Sequence, residues 1–388
     1  MGLSIRPLAL VVVVALGLLV VPARAQRIKV TTQTVPLYVT VTDPQKRLVP
    51  DLVQEDFEVY DDQKLQTLTN FDNEPTPITV VVMKAFYCDH FVLPLPPTHS
   101  FPMLKYRKLR ERVIADGILD SGDLVEPRAV ALDELLLAHD ATYVSDVIEG
   151  RLTSEQQRRI GFPWSAAMVE RSRRSVGGTI AAACLALTDG AAVNLAGGTH
   201  HAFRDHGAGY CVFNDVAVAA RVVQRDAVAS GSTPPRIAVI DCDVHQGDGT
   251  AAIFQGDPSV FTLSLHGEKN FPFKKETSDL DIMLPDGARD DEYLGQLAAG
   301  VEEALRRQRP DLVFYLAGAD PYEGDRLGRL KLTVEGLRAR DRLVIERCEG
   351  IPIAACMGGG YCPDIDTIAE IHANTVREVS RAAAAVRS

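Results

Sequence analysis

In the stretch NLAGGTHHAFRDHGAGYCVFND, residues 194–215, His200 and His201 stand in tandem after an apolar run that closes on a glycine pair. Imidazole titrates near neutrality, so two of them at the end of a buried run suit proton transfer. A second stretch, DCDVHQGDG at 241–249, follows the run IAVI and gathers Asp241, Asp243, His245 and Asp248 in one loop. Asp243 and His245, at i and i+2 just past a strand, can point to the same side, and Gly247 and Gly249 let the loop turn tightly. With Asp320, which ends the run LVFYLAGAD, they make an Asp2His ligand set. Three protein ligands leave a coordination position open, as a catalytic metal site requires. Zinc there would bring the pKa of water down to about 7 and polarise a carbonyl, and oxygen-rich ligation also admits Fe(II).

Hydrolysis of an amide needs a base for the proton of water and an acid for the leaving amine, which gives the tandem histidines a purpose. Each imidazole needs an orienting partner on its other nitrogen, and Asp241 and Asp248 are carboxylates left over for that role. Tyr361 follows IAACMGGG, and three glycines permit the close backbone approach that would let its hydroxyl donate to a developing oxyanion.

These residues need strands to carry them. AAVNLAGG, RIAVIDCD, VFTLSLHG, DLVFYLAGAD and IPIAACMGGG are short apolar runs that end in glycine or a polar group. Such runs suit strands of a parallel sheet buried on both faces, and in open α/β sheets ligands bind beyond the carboxyl ends of the strands. DEYLGQLAAGVEEALRRQRP places Leu294, Leu297, Val301 and Leu305 on one helical face and stops at Pro310. TVEGLRARDRLVIERCEG carries Leu337, Val344, Ile345 and Cys348 between Thr333 and Gly350. Both read as surface helices of an α/β fold.

The motifs GGTHHAF, GYCVFND, DCDVHQGDG, GADPYEGDRLG and GGGY, in this order, resemble those of the histone deacetylase superfamily. EGDRLG and FYCDHFVLPLPPTHSFPMLKYRKLRERV are most similar to its class IV-like bacterial members, and the likeness runs from about Met83 to the C-terminus. The resemblance implies the arginase-deacetylase fold, a parallel sheet flanked by helices, with zinc held by Asp243, His245 and Asp320. It implies that His201 is the main general base and acid, that His200 is its electrostatic partner, and that Tyr361 assists the carbonyl. It further implies that Tyr210 and Phe271 wall an acyl-lysine channel, that Arg107 lines the channel beneath the metal, and that a structural potassium ion sits on backbone carbonyls of Asp241, Asp243, His245, Ser264 and Leu265. Where many relatives carry a rim carboxylate that grips the substrate backbone, HDATYV offers Thr142, with Asp140 two residues earlier.

The first 82 residues read differently. MGLSIRPLALVVVVALGLLVVPARAQ has the layout of a secretory leader over residues 1–25, with an apolar stretch too short for a stable membrane span. Residues 26–82 read as a small β-rich module, with VPLYVTVTD, FEVYDD and ITVVVM as strands. This module resembles the opening of secreted bacterial von Willebrand factor A-related proteins, without the DxSxS loop of those domains. Residues 83–388 form the catalytic domain in this reading. Seven cysteines, odd in number and without CxxC pairing, favour a reducing, cytoplasmic setting for that domain, whereas the leader layout points to export.

The composite expectation is a metal-dependent amidohydrolase acting on acylated lysine in proteins. Its rivals are a deacetylase of acetylpolyamines or other small acetylated amines, and a non-catalytic acyl-lysine-binding protein, which metal content and turnover would separate. A two-manganese ureohydrolase would need further aspartates in DxHxD and DxD arrangements and does not fit. A net charge of −11 argues against direct nucleic-acid binding, and the oligomeric state is left open. His90, His99, His139, His206 and His372 read as core or surface histidines, Cys211 and Cys242 as small core fillers, and Arg171–Arg174 as a solvated helix face.

Overall fold

A computed structural model of the chain describes residues 2–5, 41, 52–61, 64–67, 83–96 and 99–385. The chain divides into two compact units, Met1–Thr79 and Val80–Ser388. In the first, strands β1 (Gly2–Ile5), β2 (Phe57–Asp61) and β3 (Lys64–Gln66) form an antiparallel sheet in chain order. FEVYDD thus supplies a strand; VPLYVTVTD and ITVVVM lie outside the described residues except for Val41 and Met83. Gly2–Ile5, inside the stretch with a leader's layout, pairs with β2, and the rest of that stretch also lies outside the described residues.

Among the described residues, the second unit is built on eight parallel strands: β4 (Ala85–Phe86), β5 (Leu124–Val125), β6 (Ala191–Asn194), β7 (Ile237–Asp241), β8 (Val260–Gly267), β9 (Leu280–Leu284), β10 (Leu312–Ala317) and β11 (Ile353–Met357). Their spatial order is β5-β4-β6-β11-β10-β7-β8-β9. Ten α-helices among the described residues accompany them: α1 (Lys105–Ala115), α2 (Leu132–Leu135), α3 (Ala141–Glu149), α4 (Ser154–Ile160), α5 (Ala166–Asp189), α6 (Asp215–Ala229), α7 (Asp248–Phe254), α8 (Asp290–Gln308), α9 (Val334–Arg347) and α10 (Ile365–Ala385).

The five apolar runs become β6, β7, β8, β10 and β11, and every residue in them is buried. Alternate residues serve opposite faces. Ala238, Ile240, Val313, Tyr315, Ile353 and Ala355 pack with Leu109, Val301, Leu337 and Val376 of α1, α8, α9 and α10. Ile237, Val239, Leu312, Phe314, Leu316 and Ala354 pack with Val144, Ile180, Val216 and Phe254 of α3, α5, α6 and α7. A strand with helices on both sides has no solvent face, which is why these runs show no polar alternation.

Chain order decides where chemistry collects. After β6 the chain goes to β7, moves outward through β8 and β9, and then returns to lay β10 and β11 in the gap between β7 and β6. The four central strands β6, β11, β10 and β7 therefore present their carboxyl ends side by side, and each is followed by candidate site residues. This is the reversal of strand order at which open α/β sheets bind ligands. Among the described residues, no helix is long and apolar enough to cross a membrane.

Candidate active site

Beyond β7, Asp243 and His245 meet Asp320 from beyond β10, and one donor atom from each lies within 4.8 Å of the others. His245 Nδ1 is 2.9 Å from Asp243 Oδ1 and 3.1 Å from Asp320 Oδ2. Among the described residues, the buried Asp320 Oδ2 has no hydrogen-bond donor beyond the neighbouring His245, whereas Asp320 Oδ1 accepts from Val244 N at 3.0 Å. Burial, and the negative charge of Asp243, push the Asp320 carboxyl up to about 7. Burial opposes charge on His245, yet the two adjoining carboxylates lift its pKa to about 10. Two buried carboxylates and an imidazole aimed at one point call for positive charge between them, and the donor set fits a divalent cation.

Glycines clear the space. A Cβ at Gly359 would lie 1.9 Å from Asp320 Oδ2, and Gly359 N donates to Asp243 Oδ2 at 2.6 Å. A Cβ at Gly247 would meet Asp241 Oδ2 at 2.4 Å.

The tandem histidines lie against this cluster, with ring centroids 4.1 Å apart. His200 Nδ1 is 2.6 Å from Asp241 Oδ2, and His201 Nδ1 is 2.6 Å from Asp248 Oδ1. Both rings are buried, but their electrostatics differ. For His200, burial opposes charge and is outweighed by Asp241 and Asp243, which raise the pKa to about 9. For His201, burial and the charge on His200 prevail over Asp248 and lower the pKa to about 4. One imidazole is thus held as a cation beside a neutral one.

The segment that carries these histidines is fastened from several sides. Asp215, at the start of α6, accepts from Gly198 N at 3.0 Å, Thr199 N at 2.8 Å and Thr199 Oγ1 at 2.7 Å. Asn214 caps α6 by accepting from Ala217 N at 2.9 Å, while its Nδ2 donates to Ala202 O at 3.1 Å and Thr250 Oγ1 at 3.0 Å. His139 spans Phe203 O (2.8 Å) and Asn214 N (2.9 Å) through its two ring nitrogens.

Tyr361 lies beyond β11, with its ring centroid 6.4 Å from that of His245. Its backbone N donates to Asp325 Oδ2 at 2.5 Å, and Arg326 Nε donates to its carbonyl at 2.9 Å. Burial, reinforced by Asp320 and Asp243, pushes its hydroxyl well above the usual phenol range. Tyr361 is therefore a neutral O–H donor.

Asp243, His245, His200, His201 and Tyr361 line one pocket with Tyr210 and Phe101. Tyr210 has a left-handed backbone, φ 66°, and its hydroxyl lies 2.8 Å from Ser100 Oγ. Phe271, 37% exposed, stands edge-on to His201 at 4.9 Å. Thr142 and Asp140 are exposed at the start of α3 and are not among the lining residues. Asp241 and Ser264 face each other in the β7–β8 register, with Leu265 next along β8.

Two expectations need correction. Arg107 does not line the pocket: it is on the exposed side of α1, and Lys105 takes the inner position instead. Lys105, Leu109 and Val113 recur every fourth residue on the buried stripe, and Arg107 falls off it. Lys105 Nζ donates to Gly358 O at 3.2 Å among the rings of Phe101, Tyr106 and Tyr361. Nor is Arg171–Arg174 a solvated face. Arg171 is buried, stacks 4.4 Å over Tyr106 and lines the inner pocket, while Arg173 donates to Val130 O and Arg174 to Glu170 and Pro127 O. His372 is a core histidine as expected, though among the described residues neither of its ring nitrogens finds a hydrogen-bond partner. Asp215, Asp325, Lys105 and Arg171 escaped the sequence reading. Asp215 and Asp325 left a signal, as the acids closing GYCVFND and inside EGDRLG.

Comparisons with known proteins agree on one family. A sequence profile described as the histone deacetylase domain matches residues 99–379. An uncharacterized protein of Picosynechococcus is 48% identical, over 74% of this chain and 94% of its own. Histone deacetylase 2 of Arabidopsis thaliana is 28% identical, over 80% of this chain and 81% of its own. The crystal structure of an HDAC homolog from Aquifex aeolicus superimposes with a TM-score of 0.65 at 25% identity, covering 77% of this chain and 84% of that one.

Proposed function

The chain belongs to the histone deacetylase family and has its α/β arginase-deacetylase fold, and from that premise we propose that it hydrolyses the acetyl amide, or a longer acyl amide, of acylated lysine. The observation that carries this reading is the tandem pair His200 and His201, each within hydrogen-bond reach of its own aspartate, beside the Asp243, His245, Asp320 cluster.

Asp243, His245 and Asp320 would hold a divalent ion, zinc by preference and Fe(II) as the alternative. When bound there, the ion supplies Lewis acidity toward the acyl carbonyl and lowers the pKa of water to about 7. His201, kept neutral, accepts the proton of the attacking water, and Asp248 fixes its tautomer. His200, kept charged by Asp241, adds positive potential beside the tetrahedral adduct. Tyr361 donates its hydroxyl hydrogen bond to the oxygen that gains charge. Collapse breaks the C–N bond as protonated His201 returns its proton to the leaving amine, giving a carboxylic acid and an amine, which part as carboxylate and ammonium once the acid's remaining proton passes to the amine.

Tyr210 and Phe271 supply the apolar walls for a lysine stem, and Lys105 with Arg171 at the inner end suits the carboxylate set free. The backbone carbonyls of Asp241, Asp243, His245, Ser264 and Leu265 would hold a structural potassium ion, a reading supported by the adjacency of β7 and β8. Residues 83–388 would be the catalytic domain, residues 26–82 a β-rich module like the start of a von Willebrand A-related protein, and residues 1–25 a leader. N-terminal sequencing of the native protein tests that division: a start at Gln26 supports export, and a start at Met83 assigns the catalytic domain to the cytoplasm.

The functional test is turnover of acetyl-lysine peptides and acetylpolyamines by the full chain, with His201→Ala and Tyr361→Phe beside it and metal quantified in each. Turnover lost in both variants with metal retained supports the assignment. A fully loaded wild type that turns over neither panel refutes it.

A further inference from the structure

We infer that Arg340, on α9, is a positioning residue that fixes the two ligand-bearing loops relative to each other; this rests on the metal-site reading above. Arg340 has no exposed surface and is not among the pocket-lining residues. Its Nη1 donates to Gly318 O at 2.5 Å and lies 3.4 Å from Cys242 O. Cys242 immediately precedes Asp243, and Gly318 stands two residues before Asp320. Both carbonyls lie just past the ends of their strands, where, among the described residues, the last backbone-to-backbone tie between β7 and β10 is Cys242 N to Leu316 O at 2.9 Å. Arg340 continues the tie beyond that point, one guanidinium nitrogen taking a carbonyl from each side.

The guanidinium is itself held. Its Nε donates to Asp341 Oδ1 at 2.9 Å, and Asp341 also accepts from Tyr315 Oη (2.5 Å, from β10) and Thr375 Oγ1 (2.7 Å, from α10). A planar fork can serve a carboxylate along one edge and carbonyls along another, which an ammonium point charge cannot.

The loops above have no slack to absorb a shift of those carbonyls. A Cβ on Gly318 would stand 2.7 Å from Asp243 Cα and 2.7 Å from Asp320 Oδ1. Val244 N already donates to Asp320 Oδ1 across the same gap. A buried ion pair is weak evidence of stabilisation, since apolar replacements of like volume are often neutral. What Arg340 contributes is register: it keeps Asp243 and Asp320 at the separation one cation needs.

The test is the zinc dissociation constant of the full chain, measured by competition with a chromophoric chelator, for wild type, Arg340→Met, Arg340→Lys, Thr375→Val and Asp243→Asn. Arg340→Met should weaken zinc binding by about 10–100-fold, the range for partners that orient metal ligands. Its melting temperature should rise less on zinc addition than that of wild type. Arg340→Lys should recover part of the affinity, and Thr375→Val should shift it the same way by less. Wild-type affinity in folded Arg340→Met, or equal losses of melting temperature with and without zinc, overturns the inference while leaving the metal site intact. If Arg340→Met does not fold, wild-type affinity in Thr375→Val overturns it. Absence of stoichiometric zinc binding by wild type, or unchanged binding by Asp243→Asn, overturns the metal-site reading and this inference with it.

Discussion

Replacing His139 by glutamine should remove an acid sensitivity from the scaffold that holds the tandem histidines. His139 is 1% exposed and bridges Phe203 O and Asn214 N, which join the histidine segment to the cap of α6. Only the neutral ring can donate from Nδ1 to the carbonyl while accepting at Nε2 from the amide. Burial, only partly offset by the carbonyl contacts, lowers its pKa from 6.5 to about 4. The unfolded chain therefore takes up this proton first as pH falls, so the contribution is whole above pH 6.5 and is lost as pH drops from 6.5 through 4. A gap of about 2.5 units at 1.36 kcal/mol each is worth about 3 kcal/mol, of which about 2 kcal/mol is gone by pH 5. Denaturant unfolding of the full chain, followed by its single tryptophan, reads this. Trp164 donates to Val147 O at 2.8 Å, on the helix that follows His139. At pH 7.5 the His139→Gln variant should be less stable than wild type by about 1–3 kcal/mol. At pH 5 the two should lie closer by about 2 kcal/mol. Parallel losses in both proteins between pH 7.5 and 5 would show that His139 takes no part in the acid sensitivity.

Asp248→Asn keeps the shape of the partner of His201 but removes a charge-assisted hydrogen bond worth about 1.5–3 kcal/mol, so kcat should fall by roughly 10–150-fold with metal content unchanged; an undiminished kcat would remove Asp248 from the mechanism. Gly359→Ala places a methyl 1.9 Å from Asp320 Oδ2, and it should abolish stoichiometric metal binding while circular dichroism stays that of wild type; a fully loaded variant would mean that the ligand cluster lies elsewhere.

The candidate site was legible where strand and following loop are contiguous. Asp243 with His245, and His200 with His201, announce themselves because a short apolar run fixes where the strand ends and the next residues have only one rim to occupy. The helices at 290–308 and 334–347 were legible from their apolar spacing, as was the stop before Pro310. Phase against a partner was not legible. An arginine within FPMLKYR was expected beneath the metal, but α1 turns Lys105 inward, and which charged residue of a helix enters the core depends on the surface that helix packs against. Arg340 and Asp341 show the same limit. They fall three and four residues after Leu337, inside the stripe completed by Val344, Ile345 and Cys348, yet two charges in a helix read as solvated until α10 and β10 close over them.

Sequence alone determined which donor side chains stand at the candidate site, their strand-end placement and the two-sided burial of the central strands, because each follows from neighbours along the chain. Only the tertiary structure decided that His200 is cationic and His201 neutral. That difference arises from burial and from carboxylates dozens of residues away: Asp241 and Asp243 lift one ring, while at the other burial and the charge on His200 outweigh Asp248. Their distances are set by the late insertion of β10 and β11 between β6 and β7.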